Sequence, residues 1–317
     1  MKQRKSKLKI QTKGKSYSLH DSPLYKLKTK RKLASILQHS LPDLKLLCSD
    51  EGNYAVFEET KKGSKPREIQ KPNPKLEVVH TRIASLLCRI DTPNYLHSGK
   101  KGHSNVSNAY AHVNSDNLLT TDVKSFFPAT SRRQVFSYFY SIMQCSPDVA
   151  DMLADLCTYN AHIPTGSRIS MPLAYWANVS MFNELQALSL KHSVKMTIYV
   201  DDLTFSGKKV NKLFRLCVKR ILENYDHAMH PAKTILYRAA QPKLVTGVIV
   251  TEGQMKVRNE QHQQLASELD IWKAIKDHPY AAGMKPTSKL LGRLYSMAVI
   301  DSRYKSKAVT VRKSTHT

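Results

Sequence analysis

The chain has 317 residues, with 50 Lys and Arg against 25 Asp and Glu, a formal charge of +25. A surplus spread over the whole length marks a polyanion as partner and is more than a small acidic substrate requires, while no apolar run approaches the length of a membrane-spanning helix. Five scattered cysteines (Cys48, Cys88, Cys145, Cys157, Cys217), no CxxC pair and a lysine-rich start with no apolar stretch behind it exclude a disulfide frame, a structural zinc and a secretory signal, and predict a cytoplasmic protein.

In chain order, residues 1–32 carry ten Lys and two Arg against one acid, Asp21, a net of +11. They predict a basic arm, mobile or weakly helical, that either folds onto nucleic acid or only solubilises. Residues 33–117 mix helices with short strands, and Lys61, Lys62, Lys65, Arg67 and Lys71 cluster beside an expected hairpin. Leu118–Asp122 reads as a strand, and Phe126-Phe127-Pro128 follows. Residues 196–200 and 203–206 read as two strands of a hairpin, rich in β-branched and aromatic residues. From Glu252 onward the pattern turns helical. Leu265, Leu269, Trp272 and Ile275 form one amphipathic stripe and Leu290, Leu291, Leu294, Met297 and Ala298 another. The end, Arg303 to Thr317, is basic again.

Asp201 and Asp202 stand side by side in the turn of that hairpin. Adjacent carboxylates repel, and a divalent cation between them is one reason to place them there. Turn propensity is the other. A third carboxylate, Asp122, ends its own strand 79 residues earlier (201 − 122), which lets the two strands neighbour in one sheet. Three converging carboxylates suit a pair of metal ions and in-line phosphoryl transfer, one ion serving the attacking hydroxyl and one the leaving phosphate.

These residues resemble the reverse transcriptases, and among them the retron type. Tyr199-Val200-Asp201-Asp202 resembles the Tyr-x-Asp-Asp polymerase motif and Asp122-x-x-x-Phe126 the upstream metal-binding segment. Arg67-x-Ile69 with Pro72 resembles the basic fingers segment, and His230-Pro231-Ala232-Lys233-Thr234 the segment carrying a lysine. Asn108-Ala109-Tyr110-Ala111-His112 and Val245-Thr246-Gly247 fit the two strings that point to retrons in particular. The six strings fall in the family's order between residues 67 and 247.

The resemblance implies an α+β, right-hand polymerase with fingers, an antiparallel-sheet palm and a helical thumb. On this division 1–32 is the basic arm, 33–117 the fingers and the start of the palm, 118–250 the palm with an inserted fingers segment, and 251–317 the thumb and basic tail. It implies two Mg²⁺ ions on Asp122, Asp201, Asp202 and the Val123 carbonyl. Phe126 would lie under the sugar of the incoming dNTP and exclude a 2′-hydroxyl, or else be one of two adjacent core aromatics. Arg67 would meet the triphosphate and Lys233 the leaving pyrophosphate. Tyr199 would touch the primer end, and Asn108, His112, Val245, Thr246 and Gly247 the RNA. An Asn and a His capping a helix would look the same.

One departure stands out. The family's Pro-Gln-Gly-x-Pro-Ser-Ser-Pro pocket segment reads here Pro164-Thr165-Gly166-Ser167-Arg168-Ile169-Ser170-Met171. Thr165 lacks the usual amide, so pocket contacts at Thr165 and Gly166 must differ. Gly14-Lys15-Ser16 has Lys9 where a P-loop needs glycine, which excludes that nucleotide motif.

The expected activity is RNA-directed DNA synthesis. The retron resemblance further implies a cognate structured non-coding RNA, priming from a 2′-hydroxyl within it, a branched RNA–DNA product (multicopy single-stranded DNA), and an effector protein in anti-phage defence, with no membrane involved. An intron-encoded or abortive-infection reverse transcriptase, or an RNA-binding scaffold without turnover, are the rival readings.

Overall fold

The computed structural model describes residues 8–60 and 66–315. The first seven residues of the expected arm, the cations Lys61, Lys62 and Lys65, and the last two residues of the tail lie outside the described residues.

The described part of the arm is not free. Gln11 N–H donates to Ser85 Oγ at 3.0 Å, Arg89 Nε to the Gln11 carbonyl at 2.9 Å, and Tyr17 Oη to the Leu86 carbonyl at 2.8 Å. Leu24 and Leu27 are buried in the main core. The expectation of a mobile arm therefore fails from about Ile10 onward. A few apolar residues set among lysines are enough to dock the segment while the cations stay in water.

Helices α1 (Lys30–Leu37) and α2 (Leu41–Ser49) start on Thr29 and Ser40, whose side chains accept from Lys32 N–H and Asp43 N–H. Strands β1 (Tyr54–Glu59) and β2 (Arg67–Pro72) form the expected hairpin, with Phe57 opposite Ile69. Helix α3 (Pro74–Leu87), capped by Asn73 and opened by a proline, runs through the core, and α4 (Asn105–Tyr110) starts on a Ser104–Ser107 capping box.

Strand β3 (Leu118–Asp122) is followed by helices that build the main core, α5 (Phe126–Ala129), α6 (Arg132–Ser137), α7 (Pro147–Cys157) and α8 (Ser170–Ala177). Helix α9 (Val179–Lys191) leads into β4 (Lys195–Tyr199) and β5 (Asp202–Ser206), and α10 (Lys212–Asn224) into β6 (Ile235–Tyr237). The sheet is antiparallel with order β4-β5-β3-β6, so the two acidic strands are neighbours at its centre.

The expected helical pattern from Glu252 starts later. Strands β7 (Lys243–Val245), β8 (Val248–Thr251) and β9 (Gln254–Lys256) first make a three-stranded sheet that shares a small core with α4, through Val106, Ala109, Leu118, Val245, Val248 and Val250. Helices α11 (Asn259–Ile275), α12 (Lys285–Ala298) and α13 (Arg303–Ser314) then pack on a core of their own. Leu265, Trp272, Leu290, Leu294 and Met297 bury there, and Leu269, Leu291 and Ala298 pack at its edge. Glu268 is buried among them because Arg293 meets it with two hydrogen bonds, at 2.7 and 2.8 Å, and Lys289 adds a third cation contact at 3.1 Å. The basic tail is helix α13, anchored by Tyr304, Ala308 and Val311 with Lys305, Lys307, Arg312 and Lys313 exposed. The architecture is α+β with antiparallel sheets, and no helix among the described residues is long and apolar enough to cross a membrane.

Candidate active site

The register of β3 against β5 sets Asp122 directly opposite Asp202, so both side chains leave the same face of the sheet. Tyr199 pairs with Asp202 across the β4–β5 hairpin, which leaves Val200 and Asp201 as a two-residue turn. Such a turn needs a positive φ, normally supplied by glycine. Here Val200 takes it, at φ 61°. A β-branched residue in that region costs on the order of 1–3 kcal/mol and persists only where its surroundings hold it. The Val200 N–H donates to Ser98 Oγ at 3.0 Å, and the Asp201 carbonyl accepts from Val123 N–H at 2.9 Å.

Asp122 is buried, and Asp201 and Asp202 are half-buried. Burial, and then the Asp201 and Asp122 carboxylates, push Asp202 up to about 6, against the pull of Lys233. Burial, followed by Asp122, also raises Asp201. Lys233 leaves a short helical turn, Pro231–Lys233, and its Nζ lies 2.6 Å from Asp122 Oδ2. One ammonium among three carboxylates leaves the cluster short of positive charge. Among the described residues no three His, Cys, Asp or Glu side chains close on one point as a complete set of ion ligands. Mg²⁺ does not require such a cage, since one or two carboxylates and the substrate's phosphates suffice. The chemistry of the donor set, hard oxygens held beside one another and under-neutralised, fits a divalent cation.

Asp202 is raised in the fold relative to the unfolded chain, so its favourable contribution is complete below about pH 4 and lost as pH rises through about 6. Thermal denaturation in EDTA should therefore show stability falling across that window, by about 3 kcal/mol. Mg²⁺ should flatten the fall. A profile flat in EDTA would contradict the repulsion.

The other expected site residues fall into three groups, with Phe126 apart from them. Tyr199, Thr246, Gly247 and Lys233 line one cleft of about 390 Å³ together with Asp202, Thr121 and Tyr237. Arg67, Thr165 and Gly166 form a second group at β2. Arg67 is exposed at the start of that strand, and Thr165 Oγ1 donates to the Glu68 carbonyl at 2.8 Å. Thr165 N–H donates to Gln70 Oε1 at 3.2 Å, and Gly166 N–H to the Gln70 carbonyl at 3.2 Å. A Cβ at Gly166 would come 2.7 Å from that carbonyl, so only glycine lets the strand approach. Phe126 begins α5 and is 3% exposed, packed against Phe127, Phe182 and His227 with ring centroids 5.8, 6.2 and 5.8 Å apart.

The third group corrects the expectation of RNA contacts. Asn108, His112 and Val245 are fully buried and cannot touch RNA in this conformation. His112 spans two strands under the sheet, with Nδ1 2.7 Å from Ser206 Oγ and Nε2 2.7 Å from Thr197 Oγ1. Burial pushes this imidazole down to about 3, so it is neutral. Asn108 Nδ2 donates to Thr246 Oγ1 at 3.4 Å, and Thr246 Oγ1 to the Asn105 carbonyl at 2.7 Å. The two strings that point to retrons are thus one structural joint, fixing the β7–β8 turn against α4. Sequence reasoning missed Ser98 and Gln70, because a lone serine in a loop and a strand glutamine carry no spacing signal.

The chain is similar in sequence to the retron reverse transcriptases, several of which match it at 20–29% identity over most of its length. The retron Se72 reverse transcriptase of Salmonella heidelberg is 29% identical over 228 residues, which is 67% of this chain and 59% of that protein. The retron Ec86 reverse transcriptase of Escherichia coli is 20% identical over 270 residues, covering 84% of this chain and 82% of that one. This chain therefore spans about three-fifths of the Se72 protein. No family model matches it. Among solved structures, the foamy viral protease-reverse transcriptase in complex with double-stranded DNA aligns with a TM-score of 0.46 at 13% identity, covering 83% of this chain and 44% of that one.

Proposed function

We propose that the chain is an RNA-directed DNA polymerase that copies a cognate structured non-coding RNA. The observation that carries this is Asp122 facing Asp202 across two strands, with Asp201 in the turn between β4 and β5. On this reading the four-stranded sheet is the palm, the β1–β2 hairpin and its neighbouring helices are the fingers, and α11–α13 are the thumb. Asp122, Asp201 and Asp202, with the Val123 carbonyl, would hold two Mg²⁺ ions. Bound there, they would supply positive charge to the attacking hydroxyl and the leaving phosphate oxygens.

The chain's own residues do the rest. The carboxylates fix where the α-phosphate of a dNTP must lie, and catalysis is positioning plus electrostatics. Lys233, free to leave Asp122 on its flexible stem, neutralises or protonates the departing pyrophosphate. Arg67 grips the triphosphate with its planar fork. Tyr199, Thr246 and Gly247 form the wall of the cleft that receives the primer end. Phe126, held rigid by Phe182 and His227, excludes a 2′-hydroxyl. Phe126→Ala is expected to raise incorporation of ribonucleotides relative to dNTPs about tenfold or more, a modest steric discrimination in energy. Unchanged sugar selectivity would remove the gate role.

Similarity to retron enzymes supports the finer reading. The primer is a 2′-hydroxyl of the cognate RNA, the product is branched RNA–DNA (multicopy single-stranded DNA), and an effector protein joins the complex in anti-phage defence. The test is direct. Protein purified with its nucleic acid, given dNTPs and Mg²⁺, should yield labelled DNA covalently joined to RNA. No product with any copurifying RNA would reject the proposal.

A further inference from the structure

We propose that Ser98 is a positioning residue for the acidic turn, its hydroxyl holding the Val200 peptide so that Asp201 stays beside Asp122. The inference rests on the metal-dependent polymerase reading above. Val200 sits at φ 61°, where valine does not go unaided. Its N–H reaches Ser98 Oγ at 3.0 Å, and Ser98 is 8% exposed, so water is a poor substitute for that acceptor.

Ser98 can do this because the segment before it is fixed to the same hairpin. Leu96 makes a parallel bridge with Ile198, Ile198 N–H donates to the Tyr95 carbonyl at 2.8 Å, and His97 N–H donates to the Ile198 carbonyl at 2.9 Å. His97 Nδ1 in turn lies 3.0 Å from Ser107 Oγ in α4. Residues 95–98 thus run as a short extra edge along β4 and deliver one hydroxyl to the turn. Gly99 follows at φ 66° and turns the chain away. On the far side of the turn the Asp201 carbonyl accepts at 2.9 Å from the N–H of Val123, the residue that follows Asp122 at the end of β3. The turn is pinned on both sides, by Ser98 at Val200 and by Val123 at the Asp201 carbonyl. Removing the serine hydroxyl leaves a buried N–H unpaired and lets the turn relax toward ordinary valine backbone, carrying the Asp201 carboxylate away from its partners.

The test uses Ser98→Ala and Ser98→Thr in the full chain, each also combined with Val200→Gly. Mn²⁺ binding is read by electron paramagnetic resonance without nucleotide, and kcat and KM for dNTP are measured separately. Ser98→Ala should weaken Mn²⁺ binding and lower kcat, each by about tenfold, with KM and RNA affinity unchanged. Ser98→Thr keeps the hydroxyl and should restore both. Glycine occupies positive φ freely, so Ser98→Ala should lose most of its effect beside Val200→Gly. Wild-type Mn²⁺ affinity in Ser98→Ala, or an equal loss in the glycine background, would overturn the inference. A wild-type protein that binds Mn²⁺ yet makes no DNA would sink the polymerase reading instead, and the Mn²⁺ comparison would still decide the role of Ser98.

Discussion

Replacing Asp201 and Asp202 together by asparagine is expected to lower DNA synthesis by at least about 10³-fold, since removing even one preorganised electrostatic group typically costs 10²–10³. Amides cannot supply the anionic oxygens that gather divalent cations, and the cross-strand pair Asp122–Asp202 loses one of its two charges. RNA affinity should survive, because the phosphate-binding surplus of cations is untouched. The fold should survive as well. Burial and mutual repulsion raise Asp201 and Asp202 in the native state, so neutral amides at those positions should raise the melting temperature measured in EDTA. Loss of function with a gain in stability distinguishes a functional carboxylate cluster from a structural one. A double variant that still polymerises would reject the assignment, and one that unfolds would mark the aspartates as structural.

The second large effect concerns salt. A net charge of +25 and an exposed row of cations on α13 imply that binding releases many counterions. Affinity for RNA, followed by fluorescence anisotropy, is expected to fall about 10³-fold between 50 and 200 mM salt, as it does for six or more neutralised phosphates. A nearly flat dependence would contradict the polyanion reading and leave the charge as a solubility device.

The acidic strands were legible because short apolar, β-branched and aromatic runs coincide with three carboxylates, and the register then follows from pairing β3 with β5. The stripes of the C-terminal helices were legible from a helical period kept over several turns. Lysines dominate the composition of the N-terminal segment and suggest a mobile arm, while Tyr17, Leu24 and Leu27 decide its packing. Strands β7 to β9 are only three or four residues long, too short for periodicity to mark. Polar residues in a family string suggest RNA contact for Asn108 and His112. Their partners Thr246, Thr197 and Ser206 lie 85–138 residues away, and only folding brings them together. Val200 illustrates the deepest limit. Local preference argues against valine in that turn, and the serine that holds it is 102 residues upstream.

The most direct measurement is anomalous diffraction from crystals of the protein with its RNA, an unreactive dNTP analogue and Mn²⁺. The expected result is manganese within about 2.0–2.5 Å of carboxylate oxygens of Asp122, Asp201 and Asp202, the range for hard cations on oxygen. Manganese found only elsewhere, with those three carboxylates bare beside a bound nucleotide, would contradict the metal-dependent polymerase assignment.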